Sequence, residues 1–336
     1  AFVTGVLTMV LNWAIEMGYV ADHAALIPAA IAVAVAILYT AFVAALPLAS
    51  NIAVASQIVL RGGVLWLIIY TLLHLSCVAG RVFLDSPRVM WFFDTAAIEM
   101  VVLGFVVPSA LGLIAGALAW VSDPRVLMRT LPLKLQTWHA TVVLWTALRV
   151  WCIRFPGSYQ KLVLALAGLT ALVLLATIIA DTGVVQRLLV PMMRVGRKQD
   201  GLTFAGLALG FLGFATLIVV ATAMMAAGFN GIPPTQLLSA LLMVTMVGSL
   251  VATTAAVLLA AGSEYEDYTV PARALVTVGG MVVAIGVLGS ALMWAMTVVV
   301  ERSLSVWLLG CVELTIAGVA LTLIWTAFVY TPPEYE

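Results

Sequence analysis

Six charged side chains lie within or beside strongly apolar stretches of this 336-residue chain, and they are its first candidates for chemistry: Arg88, Asp94, Glu99, Arg149, Arg302 and Glu313. An ionisable group at membrane depth is costly, so it marks an ion pathway, a proton relay or a paired contact. Glu313 lies roughly 14 Å deep, at about 1.5 Å per residue. For Glu99 and Glu313, a transport role and a buried pair that fixes helix register both stay open. For Arg149, which is near a helix end and long enough to extend to the surface, a buried pair that fixes helix register is the favoured interpretation.

Two of the glutamates have similar surroundings. Arg88 precedes Glu99 by eleven residues, Arg302 precedes Glu313 by eleven, and a glycine follows each glutamate five residues later. This spacing predicts an internal duplication in which the third and fourth apolar stretches correspond to the ninth and tenth. The offset of six helices is even, so the copies would be parallel and related by an axis along the membrane normal. Chance similarity between apolar segments is the alternative.

A ring-shaped ligand is a second chemical hypothesis. Trp66, Tyr70 and His74 share one helix face, and Arg81 is seven residues beyond His74. This face could bind haem or quinone, with His74 as a single axial ligand and Arg81 near a propionate, although such stripes are more often core packing. His74 and His139 differ in predicted depth by about 12 Å. Because two axial ligands must be level, a haem held by two histidines of this chain is disfavoured.

Other site signatures are missing from the sequence. It has no glycine-rich phosphate loop, nucleophile elbow, HExxH pair or cysteine cluster. Cys77, Cys152 and Cys311 lack metal-type spacing and are interpreted as small buried hydrophobes. No metal site is predicted, and the balance favours a non-enzymatic protein. Fifteen basic and fifteen acidic residues give zero net charge, which excludes a basic surface for nucleic acid.

The composition determines which elements must position these residues. The chain is 64% hydrophobic and 9% charged, whereas a soluble domain is about 25% charged. A crossing helix needs about 20 apolar residues. This predicts an all-α polytopic bundle of nine or ten spans, the first of which may be a fragment: Phe2 to Ile15, Ala24 to Leu48, Gly63 to Phe83, Val89 or Ile98 to Trp120, Thr137 to Arg154, Lys161 to Thr182, Leu202 to Ala227, Thr235 to Ala261, Ala272 to Val300 and Leu304 to Tyr330.

Short connections imply antiparallel neighbours within one integral membrane domain, 1–336, whose repeat halves would be about 1–160 and 200–336. The chain begins at Ala1 without a secretory signal, so its N-terminus is taken as processed or incomplete. Glycines at close-packing spacing, such as Gly206, Gly210 and Gly213, are interpreted as helix-packing positions.

Orientation follows from the basic residues of the loops, because positive charge accumulates on the cytoplasmic side. One side carries nine Lys and Arg, including Arg125, Arg129, Lys134 and Arg187, and the other carries five. Both termini are therefore predicted to be cytoplasmic. An acidic cluster at residues 264–267 lies on the same side and runs against this trend.

One stretch resembles the NnrS family of multi-spanning bacterial membrane proteins, which are linked to nitric oxide metabolism and described as binding haem and copper. The residues that carry the likeness are Thr95-Ala96-Ala97-Ile98-Glu99-Met100, Gly104-Phe105, Trp120, Leu144-Trp145 and Arg149. Ala96 and Ile98 stand where the family has two histidines, and the later Gly-His-Thr-Gly run is absent. The resemblance thus implies a divergent member in a bacterial inner membrane, with the scaffold kept and the metal ligands lost.

Three functional hypotheses follow. The first is a non-enzymatic subunit or scaffold, NnrS-like in fold, that sits in the lipid bilayer beside other membrane subunits of a respiratory, nitrogen-oxide or photosynthetic complex. The second is a proton-coupled transporter using Glu99 and Glu313 in pseudo-symmetric halves. The third is a haem- or quinone-binding subunit of electron transport, built around His74.

Overall fold

The structure of the chain, a computed structural model, is mostly helical in the part that it describes. The described residues are 34, 62–63, 65–73, 75–76, 98–155, 157–189, 198–228, 241, 243–262 and 273–300, and no strand occurs among them. Within these ranges three helices are long and apolar enough to cross a membrane: Ile98–Ala117, Ser158–Asp181 and Gly201–Met224. The all-α class is therefore confirmed for this part. The first and tenth predicted spans, and all of the second except Ala34, lie outside it.

Eight helices can be given bounds in the described ranges. They are α1 (62–76, apart from 64 and 74), α2 (Ile98–Ala117), α3 (Leu131–Arg154), α4 (Ser158–Asp181), α5 (Val184–Leu189), α6 (Lys198–Gly228), α7 (Leu250–Gly262) and α8 (Arg273–Val300). Three π-helical segments accompany them: Val101–Val106 inside α2, Val126–Thr130 before α3, and Met243–Ser249 before α7.

Helix α3 begins earlier than the hydropathy pattern predicts. The predicted span started at Thr137, whereas the helix starts at Leu131 and has Pro132 in its first turn. Proline is tolerated there because the preceding π segment, Val126–Thr130, gives a wider turn with room for the ring. A span predicted from hydropathy includes only the apolar residues that cross the hydrocarbon core. It therefore leaves out the polar first turns of the helix, which contain Lys134 and Gln136. His139 therefore lies eight residues into its helix rather than two.

The core forms where α2 and α3 meet. In α2, 72% of the apolar window is buried, against 28% in α4, so α2 is central and α4 is peripheral. One stripe along α3 is buried with alternating spacings of four and three residues, the pattern of a heptad seam: Leu131, Leu135, Trp138, Val142, Trp145, Arg149 and Cys152. An apolar seam that carries an arginine requires a partner for that charge on the facing helix.

The remaining helices pack around this centre. Helix α4 packs on α3 and α6, α6 on α7, and α7 on α2. The Lys134 ammonium, near the start of α3, lies 2.8 Å from the Asp181 carboxylate at the end of α4, so these neighbours are antiparallel as predicted. Close helix approach occurs at Gly201, where an added Cβ would lie 3.2 Å from the Ala256 carbonyl oxygen. At Gly210 and Gly213 an added Cβ would have no atom of the described residues within 4 Å, so the described helices do not use these two predicted positions for close packing.

A proline explains the π segment in α2. Pro108 has no N–H, and in a regular α-helix its ring would collide with the Gly104 carbonyl. The helix widens here, and the Val107 N–H donates to the Val102 carbonyl, five residues back. The Leu103 carbonyl then lacks both partners, because the Val107 N–H bonds elsewhere and Pro108 has none to offer. The Trp138 indole N–H donates to this carbonyl across 2.7 Å, satisfying a polar group that lipid could not.

The π segment before α3 has the same arrangement. The Leu131 N–H donates to the Val126 carbonyl five residues back, and Pro132 follows directly. In both places a proline follows two residues after the end of the π segment, and we attribute both π segments to that proline. Neither proline breaks its helix, since the wider turn makes room for the ring.

We expect Trp138→Phe to lower the free energy of unfolding by about 1–3 kcal/mol, because it leaves the Leu103 carbonyl buried without a donor. In a Pro108→Ala background the new N–H of residue 108 can serve that carbonyl, so the same substitution should cost less. Denaturation of the four variants in mild detergent measures the difference. Equal costs in both backgrounds would show that the indole N–H does not compensate for the proline.

Candidate functional site

The predicted candidates Glu99 and Arg149 form a buried ion pair between α2 and α3. The Arg149 Nη2 donates to Glu99 Oε1 at 2.9 Å, and Arg149 Nε donates to Glu99 Oε2 at 3.1 Å. The Glu99 side chain is 3% exposed and that of Arg149 is 5% exposed. This two-pronged geometry matches the planar guanidinium fork to both carboxylate oxygens.

A tryptophan completes the cluster. The Trp145 indole N–H donates to Glu99 Oε2 at 3.0 Å. Trp145 and Arg149 lie one turn apart on the buried seam of α3, so one helix supplies all three donors. We call Glu99, Trp145 and Arg149 the carboxylate cluster.

The Arg149 side chain turns inward because Glu99 offers a charge partner on the facing helix. It forms a buried pair, the interpretation that the sequence favoured, and does not extend to the surface. Removing two ions from water is costly, and their attraction offsets the cost only with good geometry and additional hydrogen bonds. Both conditions are met here, so the pair is a closed contact that specifies how α2 and α3 align.

His139 makes a second polar contact in the same region. The Trp66 indole N–H on α1 donates to His139 Nδ1 at 2.9 Å. A nitrogen that accepts a hydrogen bond carries no proton, so this imidazole is neutral with its proton on Nε2. The Nε2 atom is buried and has no hydrogen-bond partner among the described residues, and a Cβ at Gly62 would lie only 2.5 Å from it.

This geometry tests whether His139 could hold the haem or copper that the NnrS family is described as binding. A metal-binding nitrogen needs a free lone pair and open space, and the other ring nitrogen normally donates its proton outward. In His139, Nδ1 is already an acceptor, and Nε2 carries the proton and faces the backbone of α1. His139 therefore does not fit as a metal ligand, and no group of three His, Cys, Asp or Glu among the described residues could hold a metal.

Glycines allow α1 to lie against this centre. A Cβ at Gly104 would lie 2.5 Å from the Trp66 indole ring, and one at Gly63 would lie 2.9 Å from Ser109 Oγ. The bulky indole therefore rests on a position of α2 that has no side chain. Trp66 is buried between α1 and α2, and Tyr70 is half-buried against the same hydrophobic core, so both predicted ring-binding residues take part in core packing.

The other predicted site residues lie outside the described residues: His74, Arg81, Arg88, Asp94, Arg302 and Glu313. The proposed correspondence between the third and fourth spans and the ninth and tenth lies partly in the same undescribed segments. The described geometry therefore concerns Glu99, Arg149, Trp66 and Tyr70.

A crevice beside the cluster is too small for an organic substrate. It lies among Leu103, Trp138, Trp145, Thr216 and Val220, and its interior volume of about 10 Å³ has room for about one water. Ligand pockets are typically about 300–1,000 Å³. The crevice is better described as a packing gap between α2, α3, α4 and α6.

The partnership within the cluster was missed at the level of sequence, although both charged residues were identified. A usable signal was present, because Glu99 and Arg149 carry opposite charges in consecutive apolar spans joined by a short connection. The indole donors Trp138 and Trp145 gave no such signal. An indole N–H shows its function only when the facing helix is in place.

Comparison of the chain with protein-family models, curated proteins and solved structures finds no match. The resemblance to the NnrS family therefore stays a prediction that rests on its residues. Several of those residues meet in space: Glu99, Trp145 and Arg149 form the carboxylate cluster, and Gly104 lies under Trp66.

We expect Arg149→Met to destabilise the protein by about 3–5 kcal/mol, because it strands a buried carboxylate. The double variant Glu99→Gln/Arg149→Met should lose less than the two single variants summed, since no uncompensated charge remains. Unfolding in detergent provides the double-mutant cycle.

The matched control is Lys134→Met with Asp181→Asn, an ion pair at 2.8 Å whose side chains are 27% and 18% exposed. Solvent-screened pairs contribute about 0–1 kcal/mol. If the Glu99–Arg149 and Lys134–Asp181 pairs had equal coupling energies, burial would not make the carboxylate cluster more important for stability than a partly exposed pair.

Proposed function

We propose that this chain is a non-enzymatic integral membrane subunit, NnrS-like in fold, that scaffolds or accompanies a respiratory, nitrogen-oxide or photosynthetic complex of a bacterial inner membrane. The observation that carries the proposal is the closed carboxylate cluster. Its one carboxylate has both oxygens occupied by donors from a single helix. Such an arrangement supports a fixed framework.

The same cluster argues against Glu99 as a mobile proton carrier. A carrier carboxylate must lose and regain its proton and must reach both sides of the membrane in turn. Glu99 is held on both oxygens by donors of α3, and the nearest Arg149 nitrogen lies 2.9 Å away, so the side chain is fixed between two helices. The adjoining crevice has room for about one water, so a proton pathway through it would need α2 and α3 to separate.

The outer surface of the bundle supports a membrane setting. Helix α4 leaves an apolar face uncovered, formed by Leu162, Leu166, Leu169 and Val173. In water such a face would be an aggregation hazard, whereas acyl chains or partner helices cover it naturally in a bilayer. We extend the proposal to about ten spans, with the third and fourth repeated as the ninth and tenth.

The arrangement of the helix ends supports the proposed orientation. The Ser122 hydroxyl donates to the Thr182 carbonyl, and Lys134 pairs with Asp181. These contacts bring the segments carrying Arg125, Arg129 and Arg187 to one end of the bundle. We propose that this basic end, together with both termini, is cytoplasmic.

Purification of the full chain from its native membrane in mild detergent should co-elute other membrane subunits in fixed stoichiometry. If the chain is a structural subunit, other membrane subunits cover its exposed apolar faces, and these contacts should survive mild detergent. Quantitative mass spectrometry of the eluted peak measures the ratios. A homogeneous protein without stoichiometric partners would contradict the proposal, and a Soret absorption band in the same peak would favour the redox hypothesis.

Reconstituted liposomes test the transporter hypothesis separately. Proton flux should be the same for the wild type, Glu99→Gln and Glu313→Gln, because a framework moves no protons. A pH-sensitive dye inside the vesicles measures the flux, with empty vesicles as the baseline. The carrier hypothesis would be favoured over the scaffold proposal if the wild type conducts protons and either substitution abolishes that flux in a folded protein.

A further inference from the structure

The basic end of the bundle carries exposed arginines beside exposed apolar side chains. In the segment that leads into α3, Arg125 and Arg129 are exposed and four residues apart, and Met128 between them is 76% exposed. On the opposite side of the same segment Leu127 is buried in the core. The segment is therefore amphipathic, with its inner side anchored and its outer side unoccupied by the described chain.

The local geometry holds this segment in place. The Asp123 side chain accepts a hydrogen bond at 2.8 Å from the Arg125 backbone N–H, and the Asp123 carbonyl accepts the N–H groups of Val126 and Leu127. Pro124 follows the cap, a position that favours helix initiation. The nearest carboxylate along the chain thus caps the helix start, and the two guanidinium groups project from an ordered turn.

A second amphipathic element lies at the same end. The contacts of Ser122 with Thr182 and of Lys134 with Asp181 join this segment to the end of α4, from which α5 continues. In α5, Val184 is buried while Leu189 is 75% exposed. Together the described residues here carry four basic groups (Arg125, Arg129, Lys134, Arg187) and two acidic ones (Asp123, Asp181), a net charge of two positive.

We propose that Arg125 and Arg129, with Met128 between them in the chain and Leu189 of α5 at the same end of the bundle, form a binding surface for anionic phospholipid head groups. Two cations four residues apart attract a lipid phosphate, and a guanidinium can bind it through two parallel N–H bonds. The neighbouring apolar side chains enter the acyl boundary below the head groups, as in interfacial helices. A free phosphate would use the charges but leave Met128 and Leu189 exposed to water, so the lipid is the better match.

This inference rests on the proposed membrane setting and adds the class of lipid that the basic end of the bundle binds.

The test uses the full chain in nanodiscs of equimolar phosphatidylglycerol and phosphatidylcholine. After transfer to detergent, native mass spectrometry measures the ratio of the two lipids retained. Each arginine near an anionic surface strengthens binding by about fivefold at low ionic strength. The wild type should therefore prefer phosphatidylglycerol, and Arg125→Gln/Arg129→Gln should lose about 25-fold of that preference.

Two variants serve as controls. Arg125→Lys/Arg129→Lys keeps the charge and should retain most of the preference, which separates lipid binding from a folding defect. Lys161→Gln removes a cation near the start of α4, at the opposite end, and should leave the preference unchanged.

Three results would overturn the inference. The first is a wild type that retains both lipids equally, and the second is an equal loss of preference in Lys161→Gln. The third is displacement of phosphatidylglycerol by millimolar inorganic phosphate, which would make the surface a site for free phosphate. All three leave the scaffold proposal intact, because that proposal fails only through missing partners or proton flux.

Discussion

The pairing of Glu99 with Arg149 is the constraint on which the centre of the molecule depends. Both side chains are buried, and a buried ion without its counter-ion is far less stable than in water. Helix α3 can therefore pack on α2 in only one register, the one that brings the guanidinium to the carboxylate. Trp145 adds a third hydrogen bond from the same seam, and Trp138, two turns before Trp145, follows from that register.

Proline and glycine complete this centre in different ways. Pro108 widens α2 into a π segment and leaves the Leu103 carbonyl without a helical donor, which the Trp138 indole supplies. Gly104 leaves space for the Trp66 ring, and Trp66 in turn donates to His139. Three indole N–H groups thus satisfy a carbonyl, a carboxylate and an imidazole. In an apolar bundle these are the polar contacts that make helix association specific.

These contacts bear on function because they occupy the groups that chemistry would need. Glu99 has both oxygens bonded, and His139 has one ring nitrogen accepting and the other against the α1 backbone. The described centre therefore supports the proposed framework. Among the described residues, the apolar face of α4 and the exposed Arg125 and Arg129 lie on the outside of the bundle, where the proposed lipid and protein partners would bind.

Hydropathy and charge alone predicted that this chain forms apolar helices, and they located the starts of the described helices to within about two turns, since apolar length is a local property of sequence. They also singled out Glu99 and Arg149 as costly residues. The tertiary structure decided that the two pair, that α3 starts at Leu131, and that no described residue packs closely on Gly210 or Gly213. Those outcomes depend on which helix faces meet. A membrane helix can be apolar on every face, because lipid accepts apolar residues as well as a neighbouring helix does. The spacing of apolar residues in the sequence therefore says little about which face packs against another helix.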